Sequence, residues 1–368
     1  MAIERLFVDR AVARHPRTEA IRSRLHLPAE PVSDPREVYQ SVSAADDPAA
    51  RGKSVLYLTR NKGPFIRKCP GTRAYTCCDY YILHVGTYCV MDCAYCILQA
   101  YFHPPVLQFF VNLEEMTAAL DRLFRGDPPV RRIGTGEFTD SMIWEPWTGL
   151  SELLVPRFGR QSRTVLELKT KTTAVDALEG LEHNRKTIMA WSLNTERVIR
   201  SEERGTASLS ARLAAAARCG EWGYPLAFHF DPMVIYDGCE AEYDAVAARL
   251  FDSVSPDNVV WISLGTFRFM PALKPVIQQR FPDSRIVYGE FITGLDGKMR
   301  YFKPLRIALY RKMAGAIRRR APNVTVYFCM EDDEVWEKAL GFTPEERGGL
   351  PGMLDEAAFR CCELEKHH

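Results

Sequence analysis

Between residues 81 and 264 the chain alternates two hydrophobic periods, and that alternation constrains its fold more than any other feature. Apolar strand-like runs occur at 81–88, 131–135, 165–169, 187–193, 224–230 and 259–264. Between them lie segments whose apolar residues recur every three or four positions, at 113–124 (Leu113, Met116, Leu120, Leu123), 175–181, 209–222 and 243–251. Strands separated by helices pair in parallel through right-handed crossovers, so the expectation is an α/β fold of βαβ units. Six units rather than eight fit an open, partial (β/α)6 barrel. In such sheets ligands bind at the carboxyl ends of the strands.

Candidate chemistry lies just after the first run. The segment Tyr88-Cys-Val-Met-Asp-Cys-Ala-Tyr-Cys96 spaces Cys89, Cys93 and Cys96 as C-x3-C-x2-C. Such a loop can wrap three corners of a [4Fe–4S] cube and leave the fourth iron without a protein ligand, open to a substrate. A structural zinc site would need a fourth ligand, from Cys69, Cys77, Cys78 or a histidine. The odd total of eleven cysteines speaks against a disulfide framework. The other cysteines read as small buried apolar residues. The vicinal pairs Cys77-Cys78 and Cys361-Cys362 suggest no role by themselves.

A composition of 46% hydrophobic and 26% charged residues over 368 positions is that of an ordinary globular chain. No uncharged apolar run approaches the roughly 18 residues needed to cross a bilayer. The start, Met-Ala-Ile-Glu-Arg, lacks a basic-then-apolar signal pattern, so the expected location is cytoplasmic, with no membrane partner and a monomeric state. A net charge of +1 means that any nucleic-acid surface would be a local patch. Residues 1–79, with Pro and Asp scattered through them, read as an irregular N-terminal segment packed on the core. Residues 80–290 read as the barrel, and 291–368 as a C-terminal extension. That extension carries a basic stretch (Lys298, Arg300, Lys303, Arg306, Arg311, Lys312, Arg318, Arg319, Arg320), then a strand at 324–329 and a short helix at 332–340.

The triad, with an aromatic residue (Tyr95) before its third cysteine, resembles that of the radical S-adenosylmethionine (SAM) enzymes. In those enzymes the open iron binds SAM, and reductive cleavage gives a 5′-deoxyadenosyl radical. Over residues 80–330 the chain resembles more narrowly the spore photoproduct lyase family, whose members reverse a thymine dimer in DNA. The resemblance is carried by Leu98-Gln99, Phe110-Val-Asn-Leu-Glu114, Thr170-Lys-Thr-Thr-Ala-Val-Asp176, Ser192-Leu-Asn194, Gly205-Thr-Ala-Ser208, Arg212-Leu-Ala-Ala-Ala216 and Val276-Ile-Gln-Gln-Arg-Phe-Pro282, in that order. It implies that Lys171 pairs with the SAM carboxylate and that Ser192 or Asn194 bonds SAM polar groups. It also implies a thymine-dimer DNA substrate and a flavodoxin or ferredoxin as electron donor. A lesion-binding hairpin falls near Lys298-Met-Arg-Tyr-Phe-Lys303, where cations interleave with aromatics, so Arg300, Tyr301 and Lys303 are the expected substrate contacts. A lesion would have to be flipped out of the duplex to reach a site inside a barrel.

Two positions depart from the family. Its members carry a hydrogen-donating cysteine near the end of the second strand, whereas Gly134-Thr-Gly-Glu-Phe-Thr-Asp-Ser141 has none. This stretch instead resembles the Gly-Gly-Glu motif of general radical SAM enzymes, which implies that Gly136 and Glu137 hold the SAM amino group. Ile97 stands where the family has a second tyrosine. The expected hydrogen donor is therefore Tyr95 first and Cys329 second. The leading reading is a radical SAM lyase acting on a pyrimidine photodimer. The alternatives are a radical SAM enzyme for a peptide or small metabolite, and a non-catalytic zinc module.

Overall fold

The computed structural model describes residues 3–72, 74–126 and 131–365. Its main sheet has eight strands: β1 (Ile66–Lys68), β2 (Tyr81–Leu83), β3 (Arg131–Gly134), β4 (Thr164–Thr170), β5 (Thr187–Ser192), β6 (Leu226–Met233), β7 (Val259–Thr266) and β8 (Thr325–Phe328). They lie side by side in chain order. Pairings from β2 to β8 are all parallel, and only β1, on β2, is antiparallel. Helices Leu113–Arg125, Leu150–Gly159, Leu209–Glu221, Cys239–Ser253 and Lys303–Arg320 return the chain between strands. Strands β5 and β7 are buried along their whole length, which is why they read as unbroken apolar runs. The partial barrel is thus as expected, with a seventh parallel strand, β8, drawn from beyond residue 290. Strand β8, from within the expected C-terminal extension, is an edge strand of this sheet.

Backbone bonds also link the loops that flank β2 and β8. Thr76, ahead of β2, donates its amide to Glu331 O at 3.2 Å, and Met330, behind β8, donates to Thr76 O at 3.3 Å. Strand tilt in a curled sheet brings such distant segments into register.

The expectation of an irregular N-terminal segment is corrected. Strands Ala29–Val32, Arg5–Asp9, Val55–Thr59, Leu107–Phe110 and Gly86–Thr87 form a second sheet in that spatial order. Its first four strands are parallel. Helices Pro16–Leu25, Pro35–Ser43 and Pro48–Ser54 each open with proline at the first position, capped by His15, Asp34 and Asp47. The Asp and Pro residues that look like breakers are helix starts, because proline costs nothing where the amide has no partner. The run at 81–88 also divides. After β2 the chain crosses to the second sheet at Gly86, where a Cβ would lie 2.4 Å from Gln108 O. The helix expected at 175–181 is only a 3-10 turn, Asp176–Leu178, since so short a segment makes too few bonds to nucleate an α-helix.

Candidate active site

A cavity of about 370 Å³ opens at the carboxyl ends of the strands, walled by Cys89, Cys93, Cys96, Tyr95, Gly136, Glu137, Lys171 and Ser192. Eight residues singled out in the sequence therefore share one space. Asp140, Lys169, Asp231, Arg268 and Lys298 complete its charged lining.

The cysteine loop is held from three sides. Asp92 and Cys93 pair antiparallel with Arg204 and Glu203. From the N-terminal layer, the buried Lys53 donates to Cys89 O at 3.2 Å and Met91 O at 2.5 Å. Arg280 ties Asp92 at 3.1 Å to Asp47 at 3.0 Å and also donates to Gln99. Burial pushes the Cys89 thiol up to about 12, against the opposing pull of Lys53, and pushes the Cys93 thiol up against that of Lys171. Thiols buried this deeply ionise only beside strong positive charge, which a metal centre supplies. Three thiols on one wall, backed by Lys53 and Lys171, fit an anionic iron–sulfur cluster. Among the described residues no three His, Cys, Asp or Glu groups converge tightly enough for a single metal ion.

Behind the loop lies a buried ionic network with no signature in the sequence. Glu203 pairs with Arg212 at 2.5 Å, both essentially unexposed, and accepts the hydroxyl proton of Tyr95. Arg212 also donates to Ser192 O at 2.8 Å. Despite burial, Lys171 and Arg212 hold the Glu203 carboxyl below its ordinary value. Lys171 lies 5.5 Å from the Tyr95 ring, and its ammonium is favoured, against burial, by the neighbouring Cys93 and Glu203 groups. The Tyr95 hydroxyl therefore points at Glu203, and its proton is already engaged.

Glu137 bonds Lys169 at 3.1 Å. Asp140 organises the loop behind β3 by accepting from Met142 N, Thr170 Oγ1 and Lys171 N at 2.8–2.9 Å. Burial raises the Asp140 carboxyl. Gly134 leaves room for the Tyr80 hydroxyl, 1.5 Å from where a Cβ would sit. Asn194 is not among the cavity residues. It is buried and spent on Pro232 O at 2.8 Å, the Tyr243 hydroxyl at 2.8 Å and Thr195 N.

The expected substrate contacts are placed differently from expectation. Arg300 is 1% exposed, paired with Asp296 at 2.8 Å and lying 4.0 Å from the Tyr75 ring centre. Tyr301 is buried against Phe291 at 4.4 Å. Lys303 is paired with Asp332 and Glu334 at 3.0 and 2.7 Å. Arginine next to aromatic residues in a hairpin suits packing as well as stacking on a base, and here packing wins. Of that stretch, Lys298 alone lines the cavity. Ile97 and Met270, about 40% exposed, stand on the same wall.

Residues 67–301 match the family model for spore photoproduct lyase. The chain belongs to the spore photoproduct lyase family. It is 29% identical over 215 residues to the spore photoproduct lyase of Bacillus subtilis, covering 57% of this chain and 63% of that protein. With the Clostridium acetobutylicum enzyme it shares 24% over 225 residues, covering 61% of this chain and 65% of that one. The chain thus matches a little under two thirds of these relatives' length. A double mutant of spore photoproduct lyase, with bound AdoMet and dinucleoside spore photoproduct, superposes with a TM-score of 0.80 at 23% identity, covering 89% of this chain and 99% of that one. A tyrosine-to-phenylalanine mutant gives 0.79 at 23% identity, with the same coverage. These structures share the family's fold with this chain. Among the described residues, no helix is long and apolar enough to cross a membrane.

Proposed function

We propose that this chain is a radical SAM lyase that repairs a thymine photodimer of the spore photoproduct type in DNA. One observation carries the reading: the cavity that takes the three cysteines also takes Lys171, Glu137 and Ser192, inside a family member's barrel. When bound, a [4Fe–4S] cluster on Cys89, Cys93 and Cys96 and a SAM molecule beside it would supply a carbon-centred radical able to abstract hydrogen. The protein's part is positioning. Lys171, at the end of β4, supplies the cation for the SAM carboxylate, and the Glu137 carboxylate, oriented by Lys169, receives the ammonium group. Gly136 and Ser192 give backbone and hydroxyl contacts at the same strand ends.

The substrate enters from the open side. Ile97 and Met270 offer apolar contact to a pyrimidine ring, and Lys298, which lies 3.3 Å from Asp296, is the hairpin cation that also faces the cavity. A flipped dimer suits such a cavity, since damaged bases leave the stack at reduced cost. Reduction would come from a small electron-transfer protein of the flavodoxin or ferredoxin class. The test is anaerobic incubation of the reconstituted protein with SAM, a reductant and defined dinucleotide photoproducts, followed by mass spectrometry. Lesion-dependent release of thymine-containing product supports the reading, and SAM cleavage indifferent to every photoproduct refutes it.

A further inference from the structure

A second cleft, of about 240 Å³, opens at the amino-terminal end of β8. Its lining shares no residue with the active-site cavity. Beyond the other end of β8, Met330 lines that cavity and the half-buried Cys329 does not. Buried Val324, Val326, Phe342 and Met353 give the cleft an apolar floor, and its charged lining is Arg318, Arg347, Arg360 and Glu356. The three arginines come from separate elements: the last turn of the helix Lys303–Arg320, the turn Glu345–Arg347 and the helix Gly349–Cys361.

Each guanidinium is held in place but not neutralised. Arg347 lies 3.8 Å from the Phe342 ring centre. Arg360 donates to Thr325 Oγ1 at 3.2 Å. Arg318 reaches Leu340 O through two long bonds of 3.4 Å. Among the described residues none of the three makes an ion pair. The adjacent Arg319 and Arg320, by contrast, both pair with Asp244, at 2.8 and 3.1 Å. Glu356 stands one turn before Arg360 on the same helix, a spacing that permits a pair, yet it is unpaired too. Burial and the Arg347 charge both disfavour the Arg318 guanidinium, so these two cations repel each other.

Cations gathered without carboxylates leave room for an anion from outside, and the guanidinium fork matches phosphate oxygens two at a time. The space is smaller than the roughly 300–1,000 Å³ of sites for larger organic ligands. All three side chains reach solvent, so a small anion enters without rearrangement. We propose that this cleft binds a phosphate group, either free or carried as a monoester by a small molecule. The bound anion ties the helix Gly349–Cys361 to β8 and to the helix Lys303–Arg320, bracing the barrel at the end remote from the cysteine loop. The site stands independently of the lyase reading.

Calorimetry on the reconstituted full chain, kept anaerobic in a chloride buffer, tests this with inorganic phosphate and glycerol 3-phosphate as probes. One equivalent of either is expected to bind. Tighter binding of the ester identifies a monoester as the source, and equal binding identifies free phosphate. Arg318→Gln, Arg347→Gln and Arg360→Gln are each expected to weaken binding at least tenfold, as a charge-assisted bond is lost. Arg319→Gln, whose partner is Asp244, should bind as wild type does. The unfolding temperature of wild type should also rise with the logarithm of phosphate concentration. That rise should vanish in Arg347→Gln while its unfolding temperature in chloride stays near wild type. An arginine with a purely structural role would instead lower the unfolding temperature in both buffers and leave the rise intact. No binding of either probe to wild type, or a rise that survives in all three variants, overturns the proposal. So does binding by duplex DNA alone, whose phosphates are diesters.

Discussion

Replacing Lys53 by methionine tests how the N-terminal layer serves the cysteine loop. The side chain is 2% exposed, holds two loop carbonyls at 3.2 and 2.5 Å, and stands 3.6 Å from Asp92 and 4.4 Å over the Tyr88 ring. Methionine keeps the stem and its packing but removes the charge and both donors. Each hydrogen bond from a charged group contributes about 1.5–3 kcal/mol, so two contribute about 3–6 kcal/mol. Part is offset because a buried ammonium has lost its hydration and methionine has none to lose. Asp92 also keeps Arg280 at 3.1 Å. The expected net loss is about 2–4 kcal/mol, concentrated in the loop rather than the barrel. Native-state hydrogen exchange on the cluster-free protein reads this directly. Amides of residues 88–97 should exchange roughly 30- to 1000-fold faster, while those of β4–β7 stay protected. Iron retained after reconstitution should fall in parallel. Unchanged loop protection together with unchanged iron content in Lys53→Met would refute the argument.

Changing Cys89, Cys93 and Cys96 together to alanine should abolish iron and sulfide binding in a chain that still folds; a triple variant that still takes up about four irons would sink the assignment. Lys171→Ala and Glu137→Gln should each weaken SAM binding, the former by about 1–3 kcal/mol as a charge-assisted bond is lost, measured by calorimetry on the reconstituted protein. The Cys77 thiol, drawn down to about 6 chiefly by the neighbouring Cys78 side chain, should be alkylated by iodoacetamide at a rate that is nearly flat above neutral pH. Below that value the thiolate is lost as protons bind, and the rate should fall about tenfold per pH unit. Cys78→Ala should move the midpoint up toward the ordinary thiol value of about 8.5, and an unmoved midpoint in the tryptic peptide's labelling profile would refute that influence. Arg212→Met should leave the Glu203 charge buried with only Lys171 beside it, costing about 3–5 kcal/mol in denaturant unfolding, and a midpoint equal to wild type would show that the pair carries no stability.

What could be read from the sequence is what local order encodes. The cysteine triad lies within one loop, so its spacing alone defines the ligand set. The βα alternation needs only hydrophobic period, and it placed the triad at the correct edge of the sheet. Even Thr325–Phe328, far along the chain, shows as a strand. The N-terminal sheet escaped because its strands are short and its helices begin with Asp-Pro or His-Pro, which resemble turns until the backbone shows them as caps. Residues whose role depends on a partner distant in sequence could not be read at all. Nothing near Glu203 announces that Tyr95 will meet it, and nothing near Arg300 announces that it will lie over the Tyr75 ring rather than meet a phosphate. Likewise Thr76 and Met330 look unrelated until the curled sheet brings their backbones together. The sequence by itself determined the chemistry of the loop and the layering of the fold, because both follow from spacing and periodicity. Which cations stand behind the cysteines and which hairpin residues turn inward were decided by tertiary packing, where burial selects a partner for every charge it covers.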